Sequence, residues 1–520
     1  MKFIFVKYLV PVVLLISTVF IMLGHYMHYE IGGDEPFSIY IAQYSICEIF
    51  QELIKGNNPP LFEILLHYWE KLFGIGENAV RSVTIVINVV ALSLIYTLLN
   101  KRFSIFIAAV AVLSICLSSF FLSYMFEVRA YGLLMLFGIL STTALLGYCK
   151  NSKSVNILLL TISNILMVYT HYFGWFYIGA QVLWIFLRLV KSKEYKDIKH
   201  LLFSYVGVFI SFLPIVLAFI TSMSTSVSNG NWMLPLRDLG NFYGAILLLS
   251  NHSLVLYASI LFVVHLLVFR MLYTKRLNKV YTIGMMIGTI FFFIVGISVF
   301  FPLPVIWRFT QSYLSLIVFC FYIVGLGVYY FRVTTRFSAK DLFLLNFLIF
   351  ILGMFIISIW IPLYAEKYLS NCIPWFYIIL VLSISSALKP RNSKIFIVLL
   401  VVSLGVTSSY KVDKKMDFGS IAEVLTSKHA SASETAIVLS PYYHDKAFLY
   451  HYDRSLFSLT DVEFYDTRRK NKVFYDTELE SIQSFKSVYW VTSKDEQVFL
   501  LGASSELLYD KGGVKLYLLN

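Results

Sequence analysis

The chain has 520 residues, of which 58% are hydrophobic, 17% aromatic and only 14% charged. Its mean hydropathy of +0.75 excludes an ordinary soluble domain, in which about a quarter of the residues are charged. The composition therefore indicates a polytopic membrane protein. The formal net charge of +12 does not indicate nucleic-acid binding, because the basic residues concentrate in short loops that would face anionic lipid headgroups.

Apolar runs long enough to cross a bilayer recur along residues 1–410. A spanning helix needs about 20 mostly apolar residues, and we predict about 13 transmembrane helices. They lie near 9–23, 83–99, 104–125, 131–148, 155–169, 172–190, 201–221, 254–273, 281–301, 309–331, 342–362, 373–388 and 395–409.

Lysine and arginine predict the orientation of these spans. With a cytoplasmic N-terminus and strict alternation, the basic residues concentrate in the inside loops, as the positive-inside rule requires. The carboxylates show the opposite bias and gather in the outer loops. Because acidic residues contribute little to orientation, their excess suggests that the outer face is functional.

The composition changes after residue 410. Residues 1–410 are predicted to form a membrane domain with a first outer loop at 26–81, and residues 411–520 a small extracytoplasmic α/β domain. Strands are predicted at 435–440, 487–492 and 513–518, and helices at 418–429 and 478–485, from their apolar patterns.

The first outer loop contains adjacent carboxylates at a turn. Gly-Gly-Asp-Glu-Pro at 32–36 is typical of a turn that enters a helix, with Asp34 near its N-cap. Two interfacial helices are predicted after it, an amphipathic one over 39–53 and a second over 61–73. Asp34 is either a helix cap or a reactive carboxylate, since ionisable residues beside membrane spans often mark functional sites.

Other charged or polar residues lie at the outer ends of later spans. They are Glu127, Arg129, His171, Arg308 and Lys367, with Trp232 on another outer loop. Plain structural alternatives exist: a local ion pair between Glu127 and Arg129, an interfacial hydrogen bond for His171, and cations that simply extend to the interface. Trp232 can belong to the interfacial aromatic belt.

Carboxylates, isolated cations and a histidine above a lipid-accessible helix bundle suit one kind of chemistry. A carboxylate can take the proton of an acceptor hydroxyl. Cations can offset the charge that builds on a phosphate as its bond to carbon breaks. The pattern thus favours group transfer from a lipid-borne phosphate.

Six segments resemble the motifs of GT-C-fold glycosyltransferases of the family 39/83 type, which include protein O-mannosyltransferases and lipid A aminoarabinose transferases. The segments are Gly33-Asp34-Glu35, Asn58-Pro59-Pro60-Leu61, Glu127-Val128-Arg129-Ala130-Tyr131, Thr170-His171-Tyr172-Phe173, Trp232 with Pro235, and Glu366-Lys367-Tyr368-Leu369. Their common order carries the resemblance. Two positions depart from it: Asn58 replaces a histidine, and Lys367 replaces an arginine, which keeps the charge but loses the bidentate fork.

The resemblance implies an α-helical GT-C-like membrane fold and transfer of a sugar from a polyprenyl-phosphate donor. The acceptor would be a lipid, glycan or protein at the extracytoplasmic face of the inner (plasma) membrane, among membrane lipids and without nucleic acid. A divalent metal ion held by Asp34 and Glu127 is an open alternative, and no other cofactor is expected.

The resemblance also assigns roles to residues. Asp34 would be the catalytic base, with the other catalytic carboxylates at Glu35 and Glu127. The donor phosphate would be bound by Arg129, His171, Arg308 and Lys367. A substrate loop would include Asn58, Pro59, Pro60, Tyr131 and Trp232.

Three rival interpretations remain open on the sequence. A transporter or lipid-linked sugar flippase would place charges within spans and broken helices near the midplane, whereas here the charges lie at outer span ends. A non-catalytic scaffold that displays the α/β domain would keep binding without turnover. A transferase of longer lipid-linked glycans, as in oligosaccharyl transfer, would share the same class of enzyme.

The predicted topology can be checked with a fusion after Asn520. A reporter active only in the cytoplasm should be inactive there, because the C-terminal domain is predicted to lie outside. The same reporter fused after residue 150, in a predicted cytoplasmic loop, is the positive control. Activity of the C-terminal fusion would reverse the assignment.

Overall fold

The computed structural model describes residues 11, 13, 16–21, 23–24, 30–55, 58–192, 198–229, 238–274, 278–301, 303–358, 364–408, 417–428, 434–441, 444–455, 461–493, 505–511 and 513–519. Up to residue 408 the fold is a bundle of helices. They are Glu35–Ala42, Ile46–Lys55, Leu61–Phe73, Glu77–Arg102, Ile105–Cys116, Ser119–Tyr124, Tyr131–Asn151, Ser154–Thr170, Gly174–Ser192, Ile198–Asn229, Leu239–Leu249, Leu254–Thr274, Lys279–Ser298, Pro304–Thr310, Tyr313–Val333, Ala339–Ser358, the 3₁₀ helix Glu366–Cys372, Ile373–Ala387 and Pro390–Thr407.

The helices agree with the predicted spans. Within the described residues, nine helices are long and apolar enough to cross a membrane, and three shorter apolar helices accompany them. Every predicted span from 83–99 onward overlaps a helix. The predicted first span, 9–23, lies largely outside the described residues. A helical polytopic membrane fold is therefore confirmed.

One predicted span, 104–125, is broken in the structure. It consists of Ile105–Cys116 and Ser119–Tyr124, and the Ser118 hydroxyl accepts a hydrogen bond from the Phe121 amide (3.4 Å). Asn251 bridges the break: its side-chain oxygen accepts from the Ser119 amide (2.8 Å), and its side-chain nitrogen donates to the Leu117 carbonyl (3.0 Å). A break within a span is tolerated because the freed backbone groups find partners in the protein.

The first predicted interfacial helix, 39–53, is also divided. Glu35–Ala42 and Ile46–Lys55 are separated by a turn at 43–45. The Ser45 amide donates to the Glu48 carboxylate (3.0 Å) and the Glu48 amide donates to the Ser45 hydroxyl (3.4 Å), a capping box that starts a new helix. Most of Glu35–Ala42 is buried, so it is an interior helix rather than an interfacial one. The second predicted helix is confirmed as Leu61–Phe73.

The C-terminal part is a small α/β domain, as predicted. Its strands are β1 (Thr435–Ser440), β2 (Val473–Tyr475), β3 (Ser487–Thr492), β4 (Ser505–Lys511) and β5 (Val514–Leu519), in the sheet order β2-β1-β3-β5-β4. β2, β1 and β3 are parallel, whereas β5 runs antiparallel to β3 and β4. The helices are Phe418–Ser427, Asp445–Tyr452 and Asp461–Lys470.

The sequence patterns gave an incomplete account of this domain. The predicted helix over 478–485 is only a 3₁₀ turn, Leu479–Ile482, because the Glu478 carboxylate is engaged by Arg468 and Arg469 and by the Tyr475 amide. The short strand β2 and the polar strand β4 were not predicted. The proposed domain boundary at residues 410 and 411 lies outside the described residues.

The α/β domain and the first outer loop share one hydrophobic core. This cluster includes Ile31, Ile39, Tyr40, Phe62 and Leu66 of the loop, and Phe418, Ile421, Leu439, Phe448 and Leu516 of the domain. The Tyr450 hydroxyl donates to the Ile75 carbonyl (2.9 Å), and the His451 Nε2 lies 2.7 Å from the Ile31 carbonyl oxygen. The two parts therefore lie on the same side of the helix bundle.

Removing an anchor of this shared core should loosen the domain. Phe448 is fully buried, so Phe448→Ala should destabilise its docking by about 3–5 kcal/mol. Thermal unfolding in nanodiscs and protease release of the domain would measure the loss. The matched control is Leu507→Ala on β4, where 49% of the residue is exposed. Equal behaviour of the two variants would contradict a shared core.

Candidate active site

The Asp34 carboxylate is not used to cap its helix. Asp34 occupies the N-cap position of Glu35–Ala42, yet its side chain makes no capping hydrogen bond. Gly33, with φ of +61°, adopts the left-handed conformation that the turn requires. The carboxylate instead forms an ion pair with the Lys367 ammonium group, and 49% of the Asp34 side chain is exposed. The geometry therefore leaves Asp34 accessible for chemistry.

Glu35 has a different environment from its neighbour. It is buried, and its carboxylate pairs with Arg81 (3.2 Å) and accepts hydrogen bonds from the amides of Gly32 (3.0 Å) and Val128 (3.0 Å). Both carboxylate oxygens of Glu35 are therefore engaged in contacts that fix the loop. The geometry fits a positioning residue and does not support the predicted catalytic role for Glu35.

Arg129 connects the second outer loop to the first. Its Nη1 donates to the Ser38 hydroxyl (2.8 Å) and, more weakly, to the Asp34 carbonyl (3.4 Å). Burial opposes the charge of Arg129, but Asp34, Tyr131 and Glu63 outweigh it and hold the pKa of Arg129 above its ordinary value. Arg129 is therefore a permanent cation.

His171 is held as a neutral imidazole. The Phe173 amide donates to its Nδ1 (3.2 Å), so the ring proton lies on Nε2. Burial and the nearby charges of Arg129 and Lys367 lower the pKa of His171 to about 3. His171 therefore offers one uncharged N–H donor across the physiological pH range.

These side chains surround a small pocket. It is partly open to solvent and is lined by Asn58, Pro59, Glu63, Arg129, Ala130, Tyr131, His171 and Tyr368. The Tyr368 ring lies 5.6 Å from His171 and 6.3 Å from Tyr131, centroid to centroid, both edge-to-face. Segments far apart in the sequence thus meet at one place.

Two cations and two carboxyl groups lie in and beside the pocket. Arg129 and Lys367 carry positive charges, Asp34 carries a negative charge, and burial raises the pKa of Glu63 above its ordinary value against the opposing influence of Arg129. Cations and a neutral N–H donor around a partly closed pocket favour an anionic ligand. The arrangement can bind a phosphate beside an accessible carboxylate.

The other predicted site residues that the structure describes do not line the pocket. Pro60 is the N-cap residue of Leu61–Phe73, so it positions the pocket residues on either side of it. Glu127 is half-buried, and its carbonyl accepts from the Arg129 amide (2.6 Å). Arg308 is exposed and forms no hydrogen bond or ion pair with the described residues, so its predicted phosphate contact has no support here. Trp232 lies outside the described residues.

The sequence analysis missed two pocket-lining residues, Glu63 and Tyr368, and Ser38, which bonds to the pocket wall. Glu63 carried a signal, since it interrupts an otherwise apolar stretch of the helix Leu61–Phe73. Tyr368 stands inside a motif that was noted only for Lys367. Ser38 had no sequence signal, because only the fold places its hydroxyl between Glu63 and Arg129.

The predicted metal ion has no matching ligand set in the part of the chain that the structure describes. No group of three or more His, Cys, Asp or Glu side chains lies close enough to hold an ion there. The Asp34 carboxylate is engaged by Lys367.

The overall fold matches solved structures. A crystal structure of ArnT from Cupriavidus metallidurans bound to undecaprenyl phosphate matches with a TM-score of 0.54 at 10% identity, over 98% of this chain and 97% of that one. The apo crystal structure of the same ArnT matches with a TM-score of 0.51, also at 10% identity, over the same shares of the two chains. The GT-C fold predicted from the motifs is thereby confirmed.

A family model agrees with this fold. Residues 57–219 match the model for dolichyl-phosphate-mannose-protein mannosyltransferase. No curated protein matches the chain by sequence. The family match and the GT-C fold together support a membrane glycosyltransferase.

The state of His171 predicts a pH dependence of stability. The folded pKa of about 3 lies below the unfolded value of about 6.5, so the unfolded chain binds the extra proton between these values. The stability that depends on neutral His171 is complete above about pH 6.5 and falls with decreasing pH, by up to about 1.4 kcal/mol per unit. His171→Gln should therefore lose less stability than the wild type between pH 7 and pH 5.

Thermal unfolding in nanodiscs at several pH values measures this difference. His200→Gln is the control, because His200 is exposed, and it should follow the wild type. An unchanged pH slope in His171→Gln would show that His171 is not held neutral.

Proposed function

We propose that the chain transfers a sugar from a polyprenyl-phosphate donor to a hydroxyl of a lipid, glycan or protein acceptor. The reaction would take place at the extracytoplasmic face of a cell membrane. The observation that carries this proposal is the pocket in which Arg129 and His171 lie beside the accessible Asp34–Lys367 pair.

In the proposed reaction Asp34 is the base. Its carboxylate accepts the proton of the acceptor hydroxyl while that oxygen forms a bond to the anomeric carbon of the sugar. The bond between the anomeric carbon and the phosphate oxygen breaks, and its electron pair remains on the phosphate. The products are the glycosylated acceptor and polyprenyl phosphate, with the proton on Asp34.

The cations match the charge that this reaction develops. The leaving phosphate gains negative charge as the bond breaks, and fixed donors close to that charge lower the barrier. Arg129 and Lys367 supply two positive charges, and neutral His171 supplies an N–H donor. Because Lys367 pairs with Asp34 in the free chain, donor phosphate would compete for Lys367 and free the carboxylate for the acceptor.

The proposed side of the membrane on which the reaction takes place follows from the predicted outer loops. The pocket is built from the first loop, the loop after residue 125, the loop at 171–173 and the 3₁₀ helix Glu366–Cys372, which the charge pattern predicts to lie outside. A lipid-linked donor in the outer leaflet would approach from the side of the bundle. The basic inside loops suit a bacterial inner membrane with a cytoplasmic N-terminus.

The flippase alternative makes a different prediction about the same residues. A flippase would bind the lipid-linked sugar and release it chemically unchanged. Release of free polyprenyl phosphate together with a glycosylated acceptor therefore separates the two functions. The exposed position of Asp34 beside the cations favours transfer, because a flippase has no need of a base.

Replacing the base tests the proposal. Asp34→Asn keeps the size of the side chain but cannot accept the proton, so turnover should fall about 10²–10⁴-fold. The assay uses purified chain in nanodiscs and a panel of radiolabelled undecaprenyl-phosphate sugars, and it follows loss of sugar from the donor.

Asp466→Asn is the control for this assay. Asp466 is exposed on the helix Asp461–Lys470 of the α/β domain, so its replacement should leave turnover unchanged. Thermal unfolding verifies that Asp34→Asn is folded. Normal turnover by folded Asp34→Asn would remove Asp34 from the mechanism, and sugar transport without cleavage would support the flippase.

A further inference from the structure

A buried carboxyl group on the pocket wall has no place in the mechanism above. Glu63 lies in the first turn of the helix Leu61–Phe73, is 2% exposed, and lines the pocket together with Arg129 and His171. Burying a carboxyl group is costly unless its oxygens find partners. Its presence at the pocket wall therefore calls for a ligand or a structural partner.

Among the described residues, one of the two Glu63 side-chain oxygens has a hydrogen-bond partner from another residue. The Ser38 hydroxyl donates to Oε1 (2.9 Å), and the same hydroxyl accepts from Arg129 Nη1 (2.8 Å). The other oxygen, Oε2, is buried and has no hydrogen-bond partner among the described residues. A buried acceptor left unpaired costs about 1–3 kcal/mol, which a ligand in the pocket would recover.

The chemistry of Glu63 selects the type of ligand. Burial raises the pKa of Glu63 against the opposing effects of Arg129 and Ser38. A carboxylate repels a phosphate, whereas a hydroxyl can donate to the carboxylate or accept from the acid. A neutral hydroxyl is therefore the ligand that suits both forms.

The position of Glu63 relative to Arg129 indicates which part of the donor carries this hydroxyl. A single hydroxyl, that of Ser38, separates the Glu63 carboxyl from the Arg129 guanidinium. In a polyprenyl-phosphate sugar, the ring is attached directly to the phosphate. A phosphate held by Arg129 would place the hydroxyls of that ring near Glu63.

We propose that Glu63 binds a hydroxyl of the sugar that is transferred and so contributes to the choice of donor. This inference rests on the proposed function. The Ser38 hydroxyl donates to the Glu63 carboxyl and accepts from Arg129. The proposed sugar-binding and phosphate-binding sites therefore share one wall of the pocket.

The same helix offers a matched control. Glu70 lies seven residues after Glu63, close to two helical turns, and therefore on the same face. It is buried, both of its oxygens are without partners among the described residues, and burial raises its pKa to about 9. Unlike Glu63, it is not one of the pocket-lining residues.

The test separates sugar binding from phosphate binding. Equilibrium binding is measured for radiolabelled undecaprenyl-phosphate sugars and for undecaprenyl phosphate alone, with the full chain in nanodiscs. Glu63→Leu should weaken binding of the sugar-bearing donor about 10–100-fold and change binding of undecaprenyl phosphate less than twofold. Glu63→Gln, which keeps hydrogen-bonding capacity, should lose less, and Glu70→Gln should change neither.

Deoxy donors then identify the hydroxyl. Removing the hydroxyl that Glu63 binds should abolish the difference between wild type and Glu63→Leu, as in a double-mutant cycle. If Glu63→Leu weakens binding of both ligands equally, Glu63 acts only through Arg129. If it weakens binding of neither ligand, Glu63 does not bind the sugar. Either result overturns the inference. A wild type that binds no sugar-bearing donor better than bare undecaprenyl phosphate overturns the proposed function itself.

Discussion

The buried ion pair between Glu35 and Arg81 is the constraint on which the geometry of the site depends. Glu35 receives the Gly32 and Val128 amides in addition to Arg81, and Arg81 also donates to the Glu30 carbonyl (2.6 Å). One carboxylate thus ties the first loop, the start of a long span and the second outer loop together. Loss of one partner from such a pair is costly, because a buried charge remains uncompensated. The fixed position of Glu35 helps to hold the neighbouring Asp34 beside Arg129 and Lys367.

The ionisable groups in and beside the pocket lie in different environments. Asp34 is half exposed, His171 is neutral because of burial and nearby cations, and Glu63 is held away from water. Arg129 and Lys367 provide the permanent charge. This distribution places the proposed base, phosphate ligands and hydroxyl-binding group in and beside one small pocket, each in a different environment.

The α/β domain completes the structure of the first loop. Phe418, Phe448 and Leu516 share a hydrophobic cluster with Ile39 and Phe62, and His451 lies within hydrogen-bond distance of the Ile31 carbonyl, two residues before Gly33. The helix that begins at Glu35 is therefore enclosed by protein rather than by lipid. A change in how this domain docks would be transmitted directly to the turn that carries Asp34.

The sequence by itself determined the membrane class, nearly all of the spans, the strands β1, β3 and β5, and the set of polar motifs that resemble GT-C glycosyltransferases. These features depend on hydropathy, local periodicity and short motifs, which neighbouring residues encode. The capping box at Ser45 and Glu48 is also a local signal in the sequence, although it was not predicted. Only the tertiary structure decided that Glu35 positions the loop while Asp34 stays accessible, that Asn251 bridges a broken span, and that Glu63 and Tyr368 line the pocket. The reason is physical: burial, ion pairing and hydrogen bonds arise between segments separated by 25 residues for Ser38 and Glu63 and by 333 for Asp34 and Lys367. No local pattern in the chain specifies those contacts.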